Sequence, residues 1–335
     1  GNPEITWETF KITNGGIEMK LFRNALSLTA DVYKASRTGI LTDAVIPNIL
    51  GQTLGTVNQG QVDSKGIELS MGYDKKLGEF NVSLNGNILF SDDKVIAQNG
   101  QEGIPDYQRT IGNIAGSSLL FVSDGLFKDQ AEINASPSQS FFGRIIPGDI
   151  KYKDIGGIAG KPDGIIDNFD RIRVNKRDLP NIYYGFGTTL YFKIFDFSTY
   201  WQGVKGRTID IQGLVNSGPF AFNQETLNRW TPATAETAKY PRVGLTDRGN
   251  NTAGSDFWRR SGDYLRLKYV EAGVSLPQIL LSKYHIKKIR FYLGGFNMLT
   301  FTKLDINVDP EIPGAGSGDS YPYLKTYSAG LRATF

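Results

Sequence analysis

The sequence contains no cysteine, a single histidine and only three methionines. Without cysteine there are no disulfides, no thiolate metal sites and no cysteine nucleophiles. That suits a chain crossing an oxidising periplasm without mispairing, although many soluble proteins also lack cysteine. With one histidine, His285, in an expected turn, no Ser-His arrangement for a hydrolase or protease is available. Long hydrophobic runs are missing too: no 18 consecutive apolar residues occur, which excludes a transmembrane helix. Neither sign of charge dominates, with 37 Lys and Arg against 34 Asp and Glu and a net charge of +3. No basic block is present, so nucleic acid is not an expected partner. The opening Gly1-Asn2-Pro3-Glu4 lacks the charged start and apolar core of a secretory signal. None of this excludes a membrane protein that crosses with strands. Such a strand needs only every second residue to be apolar, which leaves mean hydropathy negative, as here.

What is present in quantity is period-two alternation, in segments of roughly ten residues. Over 80–91, Phe80, Val82, Leu84, Gly86, Ile88 and Phe90 alternate with Asn81, Ser83, Asn85, Asn87 and Ser91. Residues 66–74 repeat the scheme with Ile67, Leu69, Met71 and Tyr73. Further strands are expected at about 9–22, 25–37, 181–193, 194–206, 263–276, 287–302 and 323–335, nine in all. A soluble sandwich would alternate in the same way. Two features favour a barrel. The polar face is Asn, Ser, Thr, Gly and Tyr rather than Lys and Glu, as a water-filled lumen requires. Connections also alternate in length: Arg23–Asn24, Lys76–Leu77 and Ile194–Phe195 lie at short turns and 277–286 is modest. Between them come long segments at about 38–61, 92–180, 207–262 and 303–322. Short periplasmic turns opposite long extracellular loops are the layout of outer-membrane barrels. The fold class expected is therefore all-β, a transmembrane antiparallel β-barrel.

Within 263–276 the alternation changes phase: Leu265 and Leu267 share one parity, Val270, Ala272, Val274 and Leu276 the other. A β-bulge near Lys268–Tyr269 would return both sets to the lipid side; a strand leaving the membrane early is the alternative. The stretch 117–147 is too apolar for a free loop and is expected to fold onto the barrel mouth or against a partner. Tyr33, Tyr73, Trp201 and Tyr327, near strand ends, are expected in the interfacial aromatic girdle. The adjacent carboxylates Asp92 and Asp93 read as a solvated loop pair, and no enzymatic activity is expected.

The last residues put Tyr327, Ala329, Leu331, Ala333 and Phe335 on one face and end on an aromatic, resembling the C-terminal insertion signal of bacterial outer-membrane barrels. Longer stretches resemble the SusC/RagA family of TonB-dependent outer-membrane transporters. They include Gly1-Asn2-Pro3-Glu4 with Trp7-Glu8, Val62 to Leu69, Ser123 to Phe127 and Pro147 to Asp154. Arg229 to Pro232, Tyr240 to Arg242, Asp263 to Lys268 and Asn297 to Phe301 follow in the family's order, so the resemblance spans the chain. It implies that residues 1–335 are the C-terminal part, about nine strands, of a 22-stranded plugged barrel. The N-terminal strands and the plug, with its TonB-contacting segment, would then lie outside this chain. The implied function is TonB-dependent active import of an oligomeric nutrient, oligosaccharide or oligopeptide, together with a SusD-like surface lipoprotein. A passive porin or structural barrel is the rival. The C-terminus would lie in the periplasm and, with nine strands, the start of the chain outside the cell.

Two sets of candidate site residues follow. Tyr107, Phe220, Phe222, Trp230, Phe257, Trp258, Tyr321 and Tyr323 are loop aromatics suited to stacking on sugars or gripping a peptide. They equally suit rim anchors, loop-core residues or contacts to the lipoprotein. Asp154, Asp163, Asp167 and Asp170 resemble the family's acidic, calcium-like loop, since carboxylates around a Gly turn suit a hard cation. Here Gly156 replaces the family's Asn and 158–162 is inserted, so Ca2+ and a hydrogen-bonded Asp turn both stay open.

Overall fold

The computed structural model describes residues 3–44, 55–157, 159–215, 224–244, 249–282, 285–311 and 323–335. Fifteen strands are present among them. They are β1 (Thr9–Leu21), β2 (Leu26–Asp43), β3 (Thr56–Leu77), β4 (Phe80–Ala97), β5 (Ser118–Phe121), β6 (Ser123–Leu126), β7 (Ile150–Tyr152) and β8 (Arg171–Val174). Then follow β9 (Ile182–Phe192), β10 (Phe195–Lys205), β11 (Thr208–Asp210), β12 (Arg259–Ser261), β13 (Tyr264–Ser275), β14 (Lys288–Thr302) and β15 (Thr326–Thr334). Nine of these form one antiparallel sheet in the order β1-β2-β3-β4-β9-β10-β13-β14-β15, matching the nine expected strands. The other six form three two-stranded pairs in the long connections.

Register sorts the sheet into two faces. Following directly paired residues from β1 to β14, one row reads Met19, Leu28, Met71, Gly86, Phe186, Trp201, Leu267, Leu299. The adjacent row on the opposite face reads Glu18, Thr29, Ser70, Asn87, Gly185, Gln202, Arg266, Thr300. The apolar face is the uncovered one: Leu69 is 44% exposed, Leu293 68% and Leu331 57%. A sandwich would bury these side chains against a second sheet. An apolar face turned outward, opposite a face of Ser, Thr, Asn and Gly, is instead the pattern of a barrel wall in lipid.

The phase change is a bulge, as expected. Tyr200 pairs with Tyr269 and Trp201 with Leu267, so Lys268 has no partner on β10. On the other side Leu267 meets Leu299 and Tyr269 meets Phe296, leaving Asn297 and Met298 opposite Lys268. Asn297 has φ 55°, a left-handed conformation that asparagine tolerates better than most residues. Val270, Ala272 and Val274 thereby rejoin the face of Leu265 and Leu267.

Two expectations need correction. Much of the loop expected over 38–61 is strand: β2 runs to Asp43 and β3 begins at Thr56, residues 45–54 lying outside the described set. With 22 residues at roughly 3.3 Å each, β3 is about 70 Å long. A tilted strand spans the membrane with roughly 9–11 residues. The Thr56–Lys65 half extends past that length, where strict alternation is not required, so it reads as loop. Tyr33 does not join the outward girdle. It pairs with Asn14 and Gly66 on the polar face, whereas Tyr73, Trp201 and Tyr327 lie on the apolar one. The apolar stretch 117–147 contributes Phe121 to a second core, built from the long connections alone. That core also takes Ile150, Tyr152, Ile166, Ile209, Ile211, Leu214, Val215, Tyr240, Trp258 and Ile306. His285 sits in the β13–β14 turn, exposed, with φ 55°.

Candidate ligand-facing surfaces at the loop end

The loop core is held by a buried polar network. Asp149, fully buried, accepts from Ile146 N (3.0 Å) and Asn251 Nδ2 (2.8 Å), and Arg242 Nε lies 2.7 Å away. Burial still pushes the Asp149 carboxyl above its ordinary value, against the pull of these partners. Asn251 Oδ1 accepts from Ile150 N (2.9 Å), and Gln139 Oε1 from Tyr152 N (2.7 Å). Tyr152 donates its hydroxyl to Asn250 O at 2.7 Å, and burial drives that phenol well up. A buried network satisfied in this way rigidifies the segments it joins.

Most of the described candidate aromatics belong to the loop framework. Trp258 is 1% exposed, donates Nε1 to Asn251 O at 3.0 Å and stacks on Tyr240 with centroids 6.4 Å apart. Its face is not available to a ligand, which corrects its assignment as a substrate contact. Phe257 packs edge-on against it at 4.9 Å. Trp230 covers Gly148, whose φ of 90° and lack of a Cβ let the indole approach; a Cβ would lie 2.5 Å from the ring. Tyr107 donates to Phe169 O at 2.8 Å and ties two loop segments together. Among the described candidates only Tyr323 is largely exposed, 55%, with Arg266 and Lys268 over its ring at 5.3 and 5.1 Å. Arg266 in turn holds Asp309 at 2.7 Å, fastening the 303–311 segment to the interior wall. Phe220, Phe222 and Tyr321 lie outside the described residues.

The acidic loop takes its hydrogen bonds from its own backbone. Asp154 accepts from Asp163 N (3.2 Å) and Gly164 N (2.7 Å). Asp163 accepts from Ile165 N and Asp167 from Phe169 N. Asp170 accepts from Ile155, Gly156 and Asp167 N at 2.7, 3.1 and 2.7 Å, while burial pushes its carboxyl upward. Among the described residues, no three acidic or histidine side chains gather as a ligand set. In this arrangement the carboxylates serve as acceptors for the loop's own backbone N–H groups.

One feature escaped sequence reasoning. Asp92 and Asp93 are not merely solvated; both hold the guanidinium of Arg177, Asp92 at 2.5 Å. The partners are 84 and 85 residues apart, and no local pattern links them. They border a cleft of about 700 Å³ on the polar face, with Phe10, Tyr33, Val62, Leu179 and Tyr183 among its walls.

With the geometry in place, the likeness to known proteins is informative. A family described as "TonB dependent receptor-like, beta-barrel" matches residues 1–141. TonB-dependent receptor P26 of Formosa agariphila is 28% identical over the whole chain, and TonB-dependent receptor P3 of the same organism 26%. The chain spans 35% of the length of either relative. Among solved structures, the RagAB peptide transporter matches the whole chain with a TM-score of 0.73 at 22% identity, covering 36% of its own chain. Residues 1–141 thus match a TonB-dependent receptor-like barrel family, and the chain as a whole shares the fold of the solved transporter.

Proposed function

We propose that this chain forms part of the wall and extracellular loops of a SusC/RagA-type outer-membrane transporter. In this reading it imports an oligomeric nutrient with energy delivered through TonB. The observation that carries the reading is the two-faced sheet, apolar outward and polar inward, with short turns at one end and a folded loop module at the other. Such a wall encloses a wet interior and places ordered recognition surfaces outside the cell. The turn end and the C-terminus then face the periplasm. Lipid cannot tolerate unpaired sheet edges. β1 and β15 each have only one neighbour among the described residues, so further strands are needed to close the barrel, and the resemblance implies a plug inside it. A SusD-like lipoprotein seated on the loop module, an oligosaccharide or oligopeptide cargo, and TonB acting through the plug complete the assembly. Catalysis forms no part of this role.

The test is uptake of labelled oligopeptides and oligosaccharides by cells with and without TonB. Loss of uptake of one cargo class in the TonB-deficient strain is the expected result. Unchanged uptake would overturn the reading and favour a passive porin.

A further inference from the structure

The cleft beside Arg177 lies on the interior face at the loop end. Its floor is set by register: Tyr33, Gly66 and Ser91 form one paired row, and Phe10, Arg37 and Val62 another. The Tyr33 ring lies flat across Gly66, where a Cβ would come within 2.3 Å of it, so glycine is required for this floor. The outer wall is the 177–180 segment, pinned by Arg177 to Asp92 and Asp93. Ala115 N donates to Asp93 at 2.7 Å and fixes the neighbouring rim.

Its chemistry is selective. The charged groups are already matched: Arg37 with Glu8, Arg177 with the two aspartates, Asp178 with Arg259. Among the described lining residues no cation is left over for an anionic ligand. Along the walls two arginines, Arg37 and Arg177, face three aspartates, Asp92, Asp93 and Asp178, so the surplus is one negative charge. Apart from Ser64 and Ser91, the uncommitted surface is apolar and aromatic, with Leu179 75% and Tyr183 38% exposed. Among its described lining residues there is no tryptophan and no side-chain amide. A sugar ring placed against Ile40, Val62 and Pro180 would exchange hydrogen bonds with water for none.

Resting on the import reading above, we infer that this cleft seats apolar side chains of a neutral or cationic oligopeptide, held on the interior wall as cargo enters. Hydrophobic burial against Tyr33, Val62 and Leu179 supplies affinity, and the surplus carboxylate rejects acidic sequences.

The test is calorimetric binding to the purified full-length transporter, using hexapeptides of apolar-cationic and of acidic composition and a linear neutral hexasaccharide. The expected result is binding of the apolar-cationic peptides, weakened roughly tenfold or more by Leu179→Asp and by Tyr33→Ser. Leu227→Asp, at an exposed loop position away from the cleft, should leave affinity unchanged. Heat-modifiable migration of each variant confirms that the barrel has folded. Equal affinity of wild type and both cleft variants, or binding of the hexasaccharide in preference to the peptides, overturns the inference. Binding is read without TonB, so it is separable from the import reading: TonB-independent uptake with intact peptide binding would sink only the latter.

Discussion

Trp258 has the side chain a sugar or peptide site would recruit, yet position gives it another task. It is enclosed by Tyr240, Phe257 and the Asn251 carbonyl, at the centre of a core with no strand of the nine-stranded sheet in it. Trp258→Ala should cost the loop module about 3–5 kcal/mol through lost burial and a residual cavity. Limited proteolysis would then cut within 206–263, while the sheet stays resistant. Tyr240 gives the same core a pH signature, because burial pushes its phenol up to about 12. An unfolded phenol titrates near 10, so between roughly pH 10 and 12 the folded form keeps a proton that the unfolded form has lost. This contribution is complete below pH ~10 and disappears as pH rises through the folded value. Proteolytic protection of the loops should therefore fall across that window, and Tyr240→Phe should flatten the fall. Asp170 is the matching case among polar groups. Asp170→Ala strands three backbone N–H groups at about 1–3 kcal/mol where they stay buried. Chelation, by contrast, should leave protection of the 154–170 loop unchanged.

At the level of elements, legibility tracked the solvent on each side of a strand. Inside the bilayer an apolar face meets lipid and a polar face meets water, so β4, β9 and β14 announce themselves by alternation. The bulge at Lys268 was equally readable, because a two-residue period exposes any inserted residue. Outside the bilayer the rule lapses, and the outer halves of β2 and β3 passed for loop. The loop core was less legible still. Its bonds join Ile150 to Asn251 and Asp149 to Asn251 across 101 and 102 positions, distances over which no local pattern speaks. The bulge itself can be tested at Asn297. A β-branched residue at φ 55° is strained, so Asn297→Val should cost roughly 1–2 kcal/mol, whereas Asn297→Gly should be tolerated. The temperature at which the barrel loses heat-modifiable migration distinguishes the two.

For the whole molecule the decisive question is which face of the sheet meets which solvent. Leu69 and Ser70 are neighbours in β3 and differ only in side: Leu69 pairs with Ala30 and Ile88 outward, Ser70 with Thr29 and Asn87 inward. A barrel in lipid and a water-soluble sandwich rank the same pair of substitutions alike, and differ in whether the penalty depends on the surrounding lipid. In lipid, an arginine at position 69 leaves its charge facing hydrocarbon, at about 2–4 kcal/mol near the midplane, while one at position 70 projects into a wet interior at little cost. In a sandwich the apolar side would be the dry core and the polar side bulk water, so the same ranking would hold whatever medium surrounded the protein. Refolding Leu69→Arg and Ser70→Arg into vesicles, with urea titration of each, reads the difference directly. Leu69→Arg should lower the unfolding midpoint markedly and Ser70→Arg barely. The same variants in a detergent micelle, thinner and more pliable than a bilayer, should lie closer together. Equal midpoints in vesicles would mean that the outward rows do not face lipid, and the membrane-spanning reading would have to be given up.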